Sequence, residues 1–216
     1  MSAQTADRVA GVLARSMERL RGDGRSLALS AYRLLSAGSP VPVADLAAAS
    51  RVQLEEAEAW LEEMPGVFRD EDGRVVGFWG LAIAEMPHRF EVDGVDLYAW
   101  CAWDTLFMPA LIGKPARVRS ACRQTAERIT FTVDAERVSE ISHPDAVVSM
   151  LASEEGLGAD VLTAFCHHVH FFVSESAGER WLAEREDDDA FLLTVAEAHR
   201  LGRLWNEHRF GEAVVV

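Results

Sequence analysis

The chain has 216 residues, 49% of them hydrophobic, which is enough for one large or two small domains with real cores. Its 35 acidic and 21 basic side chains give a net charge of −14, which argues against a nucleic acid or an anionic membrane as partner. Three cysteines are too few, and odd in number, for a secreted disulfide scaffold, and neither a signal peptide nor an apolar run of about eighteen residues is visible. A cytoplasmic chain with reduced thiols is expected.

Residues 5–20 place Val9, Val12, Leu13, Met17 and Leu20 at helical spacing. Ser26 is a candidate cap for a second helix carrying Leu27, Ala31, Leu34 and Leu35, with Gly38 placed to stop it. Pro42 opens a short third helix over 45–49, and Ser50 is placed to cap a fourth carrying Val52, Leu54, Ala57, Trp60 and Leu61. Strands at 66–69 and 74–78 flank a turn at 70–73. This order predicts a winged helix-turn-helix over residues 1–80. DNA is nonetheless a poor partner for it. The would-be recognition helix, 51–63, has one basic residue, Arg51, against Glu55, Glu56, Glu58, Glu62 and Glu63, and would repel phosphates. A packing or lid role is expected instead.

Residues 81–216 read as a second domain. Strands at 89–92 and 95–98 flank Asp93-Gly94, a hairpin signal. A helix is expected over 100–111, holding Cys101 and Asp104 and weakened at its end by Pro109. Strands follow at 116–120, 129–133 and 147–150, then a short helix at 160–165 leading into a strand at 167–173. Helices at 179–185 and 194–210 close the chain around an acidic run at 184–189. The fold class is therefore α+β: a winged helix-turn-helix-like module followed by a mixed α/β domain with a small antiparallel sheet.

Cys101, Asp104 and Cys166 carry the chemistry. Two sulfur ligands and one proton carrier suit a thiophilic metal that is held while something bonded to it is protonated. Asp104 lies three residues from Cys101, and on a helix the two side chains would share a face. Trp100, Trp103, Phe107 and Met108 could form the partly dry wall that raises a carboxyl's pKa. Each residue alone has a plainer reading, since lone cysteines are commonly small buried apolar groups and helix-surface carboxylates are common. On a strand, Cys166, His168 and His170 would also face one way, as in a zinc or copper triad. The absence of any CxxC favours histidines hydrogen-bonded in the core.

The run YAWCAWDTLFMPALIGKPARVRS at 98–120, then Cys122, then FCHHVHFF at 165–172, resembles the alkylmercury lyase (organomercurial lyase) family of bacterial mercury resistance. The tail around 195–199 and 206–208 fits as well. The resemblance implies that Cys101 and Cys166 bind mercury as two thiolates while Asp104 carries the proton that cleaves the carbon–mercury bond. The products would be a hydrocarbon and Hg(II). It further implies a structural Cys122, no resident cofactor, release by external thiols, and mercuric reductase and cytosolic thiols as acceptors. Some relatives carry a second cysteine where this chain has His167. Two other readings remain: a soft-metal carrier using Cys101, Cys166 and His168 without lyase activity, and a metal-responsive regulator, which the acidic helix disfavours.

Overall fold

The computed structural model describes residues 23–151, 161–185 and 190–211; the helix expected at 5–20 lies outside them. Helix α1 (Asp23–Leu35) buries Leu27, Ala28, Ala31, Tyr32 and Leu35, a single stripe at three- and four-residue spacing. It starts three residues before Ser26, whose hydroxyl is used elsewhere: it donates to the Ser50 carbonyl at 3.2 Å and ties α1 to α2 (Val43–Ser50). Pro42 precedes α2 as expected. Ser50 does not cap α3 (Leu54–Glu63). It ends α2, and Arg51 follows in the left-handed region (φ 60°). The cap is Gln53, whose backbone N–H donates to the Glu56 carboxylate.

The wing pairs β1 (Val67–Arg69) with β2 (Val75–Phe78), its tip closed by the Asp70 carboxylate, which accepts from the backbone N–H of Asp72 and Arg74. A two-residue strand, β3 (Leu81–Ala82), then joins this wing to β5 (Val95–Ala99). With β4 (His88–Val92), β6 (Ala116–Ala121), β7 (Arg128–Val133) and β8 (Val138–Ser139), the result is one antiparallel sheet of eight strands in the order β1-β2-β3-β5-β4-β6-β7-β8. Both Asp93 and Gly94 adopt positive φ at the β4–β5 turn, the geometry that Asp-Gly supplies at low cost. The strands β3 and β8 escape sequence reading because two residues cannot display an alternation.

A second sheet sets β9 (Val147–Leu151) between β10 (Phe171–Phe172) and β11 (Ala190–Thr194). Helices α4 (Asp104–Ile112), α5 (Val161–Ala164), α6 (Glu175–Ala183) and α7 (Val195–Phe210) complete the described chain. Thr194 and Glu197 form a reciprocal cap on α7. Helix α7 lies close on α4: a Cβ at Gly202 would come within 2.7 Å of Phe107 Cβ, so glycine is what allows the approach. Trp103 Nε1 donates to the Ala198 carbonyl, and Asn206 Nδ2 to that of Phe107, which fixes the register of the two helices. No described helix is long and apolar enough to cross a membrane.

Candidate active site

Cys101 and Asp104 do not share a helix face. Strand β5 runs on to Ala99, and the Trp100 N–H still donates to the Gly80 carbonyl, so the chain stays extended there and turns only through 100–103. Asp104 is the first residue of α4, and its carboxylate reaches back to accept the Cys101 backbone N–H at 2.8 Å. Pro109 sits inside α4, which continues to Ile112.

The expected strand 167–173 is also shorter. Cys166 opens a 3-10 turn, Cys166–His168, and only Phe171 and Phe172 pair with β9. Ser149 is the reason: its hydroxyl donates to the His168 carbonyl and accepts the His170 N–H, so a side chain stands in for ladder bonds. Cys166, His168 and His170 therefore do not form one strand face. His167 is exposed, His168 meets an Arg185 guanidinium nitrogen at 3.0 Å, and His170 packs edge-on to Trp181. Among the described residues, the one group of three or more His, Cys, Asp and Glu side chains able to hold a metal is Cys101, Asp104 and Cys166.

Those three come together from two segments 65 residues apart, pinned by the Ala102 N–H donating to the Val169 carbonyl at 3.2 Å. Their two Sγ atoms and a carboxylate oxygen all lie within 4.8 Å of one another. All are buried, with Cys101 at 0%, Cys166 at 5% and Asp104 at 6% exposure. A chamber of about 20 Å³, roughly the room one water needs, lies against Asp104 and Cys166. Trp79, Trp100, Trp103, Phe165 and Trp205 wall it. Of the expected wall residues, Trp100 and Trp103 line it, whereas Phe107 and Met108 are buried without lining it.

Burial decides the electrostatics. It pushes the Asp104 carboxyl up to about 6, against the opposing pull of its hydrogen bonds to Cys101 and the charge of Arg209. Burial likewise pushes the Cys101 thiol well up, helped by its hydrogen bond to Cys166 and the Asp104 charge. For Cys166 the bond to Cys101 pulls downward, but burial and the Asp104 charge together prevail and the thiol is raised. Both sulfurs thus rest as thiols beside a carboxyl able to exchange protons near neutrality.

Sequence reading missed Gly80 and Arg209. Gly80 (φ +96°) leaves room for the carboxylate, since a Cβ there would lie 2.6 Å from Asp104 Cγ. Arg209 is 3% exposed, with its guanidinium 4.0 Å from the centre of the Trp205 ring and 5.7 Å from that of Trp79. Among the described residues its nitrogens find no hydrogen bond of normal geometry; Tyr32, close enough to feel its charge, donates instead to the Trp79 carbonyl at 2.8 Å. The Trp205–Arg209 spacing of four residues signals the stack but not its nearness to Asp104.

Cys122 stands apart from the cluster. It is buried just beyond β6, in a turn closed by the Ala126 N–H donating to its carbonyl. Burial raises its thiol, but hydrogen bonds from Thr125 and from the backbone of Val173 and Gln124 outweigh this and lower it. A larger cavity, about 520 Å³, has Cys166 in its wall together with Trp100, Cys122, Arg123, His167 and His170.

An α+β fold around a buried set of two thiols and one carboxyl has the donor atoms that suit a soft metal. The sequence profile of the alkylmercury lyase family matches residues 81–207, and that of the helix-turn-helix domain of alkylmercury lyase matches 4–79. The chain belongs to the alkylmercury lyase family, a family of enzymes. It is 45% identical to the alkylmercury lyase of Staphylococcus epidermidis over 171 residues, covering 79% of this chain and 77% of that protein. It is 40% identical to that of Pseudomonas putida over 179 residues, covering 83% and 82% respectively. The crystal structure of the mercury-bound form of MerB2 has the same fold at 19% identity, with a TM-score of 0.74 over 95% of this chain and 99% of that one.

Proposed function

We propose that this chain cleaves carbon–mercury bonds by protonation, with Cys101 and Cys166 as the two thiolates and Asp104 as the proton carrier. The observation that carries the reading is the approach of the Asp104 carboxylate to within 4.8 Å of both buried sulfurs, beside a small chamber walled largely by tryptophans. One cysteine takes the organomercurial by displacing its original ligand, which leaves with the thiol proton. When the second sulfur joins the metal, its proton passes to the Asp104 carboxylate. Two thiolates load electron density onto mercury, the bonded carbon gains carbanion character, and Asp104 hands the proton to it. A hydrocarbon leaves, Hg(II) stays on both sulfurs, and Asp104 returns to its starting charge.

No resident cofactor enters these steps. Hg(II) then leaves by exchange with external thiols, and a mercuric reductase in a reducing cytoplasm is the acceptor we propose. Residues 23–80 serve as packing: Tyr32 of α1 bonds the carbonyl of the chamber wall residue Trp79, and the five glutamates of α3 are exposed. They do not serve DNA binding. A carrier without lyase activity would have no use for a buried carboxylate bonded to the Cys101 backbone. The test is incubation with phenylmercury and excess thiol, assaying benzene. Mercury bound without benzene released would favour the carrier.

A further inference from the structure

The 520 Å³ cavity differs in charge from the chain as a whole. The protein carries a net charge of −14, yet among the described residues no carboxylate lines this cavity, and Arg123 supplies a fixed positive charge. Among the described residues, two acidic side chains of neighbouring segments are engaged elsewhere: Glu127, from the same turn, lies 3.8 Å from His143, and Glu184, at the end of α6, accepts from Gln124. Arg123 is anchored but open. Its backbone N–H donates to the Phe171 carbonyl at 2.9 Å, which holds it beside the segment that carries Cys166, while its side chain is exposed. Its charge is felt inside, since burial first and Arg123 second push His170 down to about 4, leaving that ring neutral. Of the three residues in the buried cluster, only Cys166 has a place in this wall.

Mercury held by two thiolates leaves only when other thiolates replace them. Two thiols must arrive for each metal. The first bonds to mercury as Cys166 takes up its proton; the second does the same at Cys101, giving a mercury dithiolate and two protein thiols with no change of oxidation state. A cavity of this size suits a small molecule. A guanidinium pairs with a carboxylate better than any other side chain does, and in a strongly acidic protein an anion needs such a local cation to approach.

We propose that this cavity docks the thiol that removes mercury, and that Arg123 selects small thiols bearing a carboxylate. The inference rests on the lyase reading, but its test does not need hydrocarbon cleavage. The protein is loaded directly with one equivalent of Hg(II). Loss of mercury is then followed with N-acetylcysteine and with N-acetylcysteamine, which differ by one carboxylate. The readout is the ratio of the two rates. The wild-type protein is expected to favour the carboxylated thiol by about fivefold, the scale of a partly exposed ion pair. Arg123→Ala brings the ratio to about one, Arg123→Glu inverts it, and raised salt erodes the wild-type preference. A wild-type ratio near one, or a ratio that neither variant moves, overturns the proposal. Absence of benzene from phenylmercury would instead count against the lyase reading alone.

Discussion

Cys166 and Trp100 belong to two unlike cavities, and the contrast between them explains the site. On one side is a chamber of about 20 Å³ walled by Trp79, Trp103, Phe165 and Trp205, with Asp104 as its polar group. On the other is an open cavity of about 520 Å³ lined by histidines, Cys122 and Arg123. Around the first, burial brings Asp104 to about 6 and raises the Cys101 thiol, and at Cys166 burial and the Asp104 charge together outweigh the bond to Cys101, so both thiols stay protonated. At Cys122, in the wall of the second, hydrogen bonds overcome burial and the thiol is lowered. A dry wall favours delivery of a proton to carbon, but it also bars the ligands that must later remove the metal. Placing one thiolate on the border resolves that conflict.

The sharpest way to break the contrast is to remove one of the two sulfurs. Cys166→Ser and Cys101→Ser should each reduce hydrocarbon release from phenylmercury to the uncatalysed level, because serine offers mercury a hard oxygen. Turnover comparable to wild type in either variant contradicts the two-thiolate account. A smaller effect is expected at Gly80, where alanine brings a Cβ to 2.6 Å from Asp104 Cγ at a φ of +96°. Gly80→Ala should slow release by about tenfold or more through misplacement of the carboxylate. It should also cost roughly 1–3 kcal/mol in backbone strain, read by urea unfolding.

Asp104 gives the chamber a pH signature. Its folded pKa, about 6, lies above the ordinary 3.8, so the folded state holds the proton more tightly than the unfolded chain does. Stability from this group is intact below about pH 4 and declines as pH rises through 6. Asp104→Asn removes that titration. Relative to wild type it should gain up to about 3 kcal/mol between pH 4 and pH 8, some two pKa units of difference. A stability difference that stays constant across this range contradicts a desolvated carboxyl. The smallest effect is assigned to Cys122, outside the metal cluster: Cys122→Ser should retain measurable turnover if it stays folded.

Much of the frame was legible in the sequence because it rests on local signals. The stripe of α1, the Asp-Gly turn and the wing hairpin all follow from spacing and turn chemistry within a few residues. Where a distant partner decided the conformation, local reading failed. Ser149 keeps 166–170 from forming the strand that the alternation of Cys166, His168 and His170 suggested. The Trp100–Gly80 bond delays α4 until Asp104. At the site, the motif residues could be singled out, but Gly80 and Arg209 could not, since their nearness to Asp104 depends on β3 and α7 folding back onto α4.

The central claim is that Asp104 moves the proton while sulfur holds the metal, and one variant separates these tasks. Asp104→Asn keeps the shape and can still accept the Cys101 N–H, but it cannot release and return a proton. Mercury bound per chain and hydrocarbon released per second should be measured on the same sample. The account predicts stoichiometric capture with release slowed by on the order of a hundredfold or more. Full capture with near-normal release would contradict it.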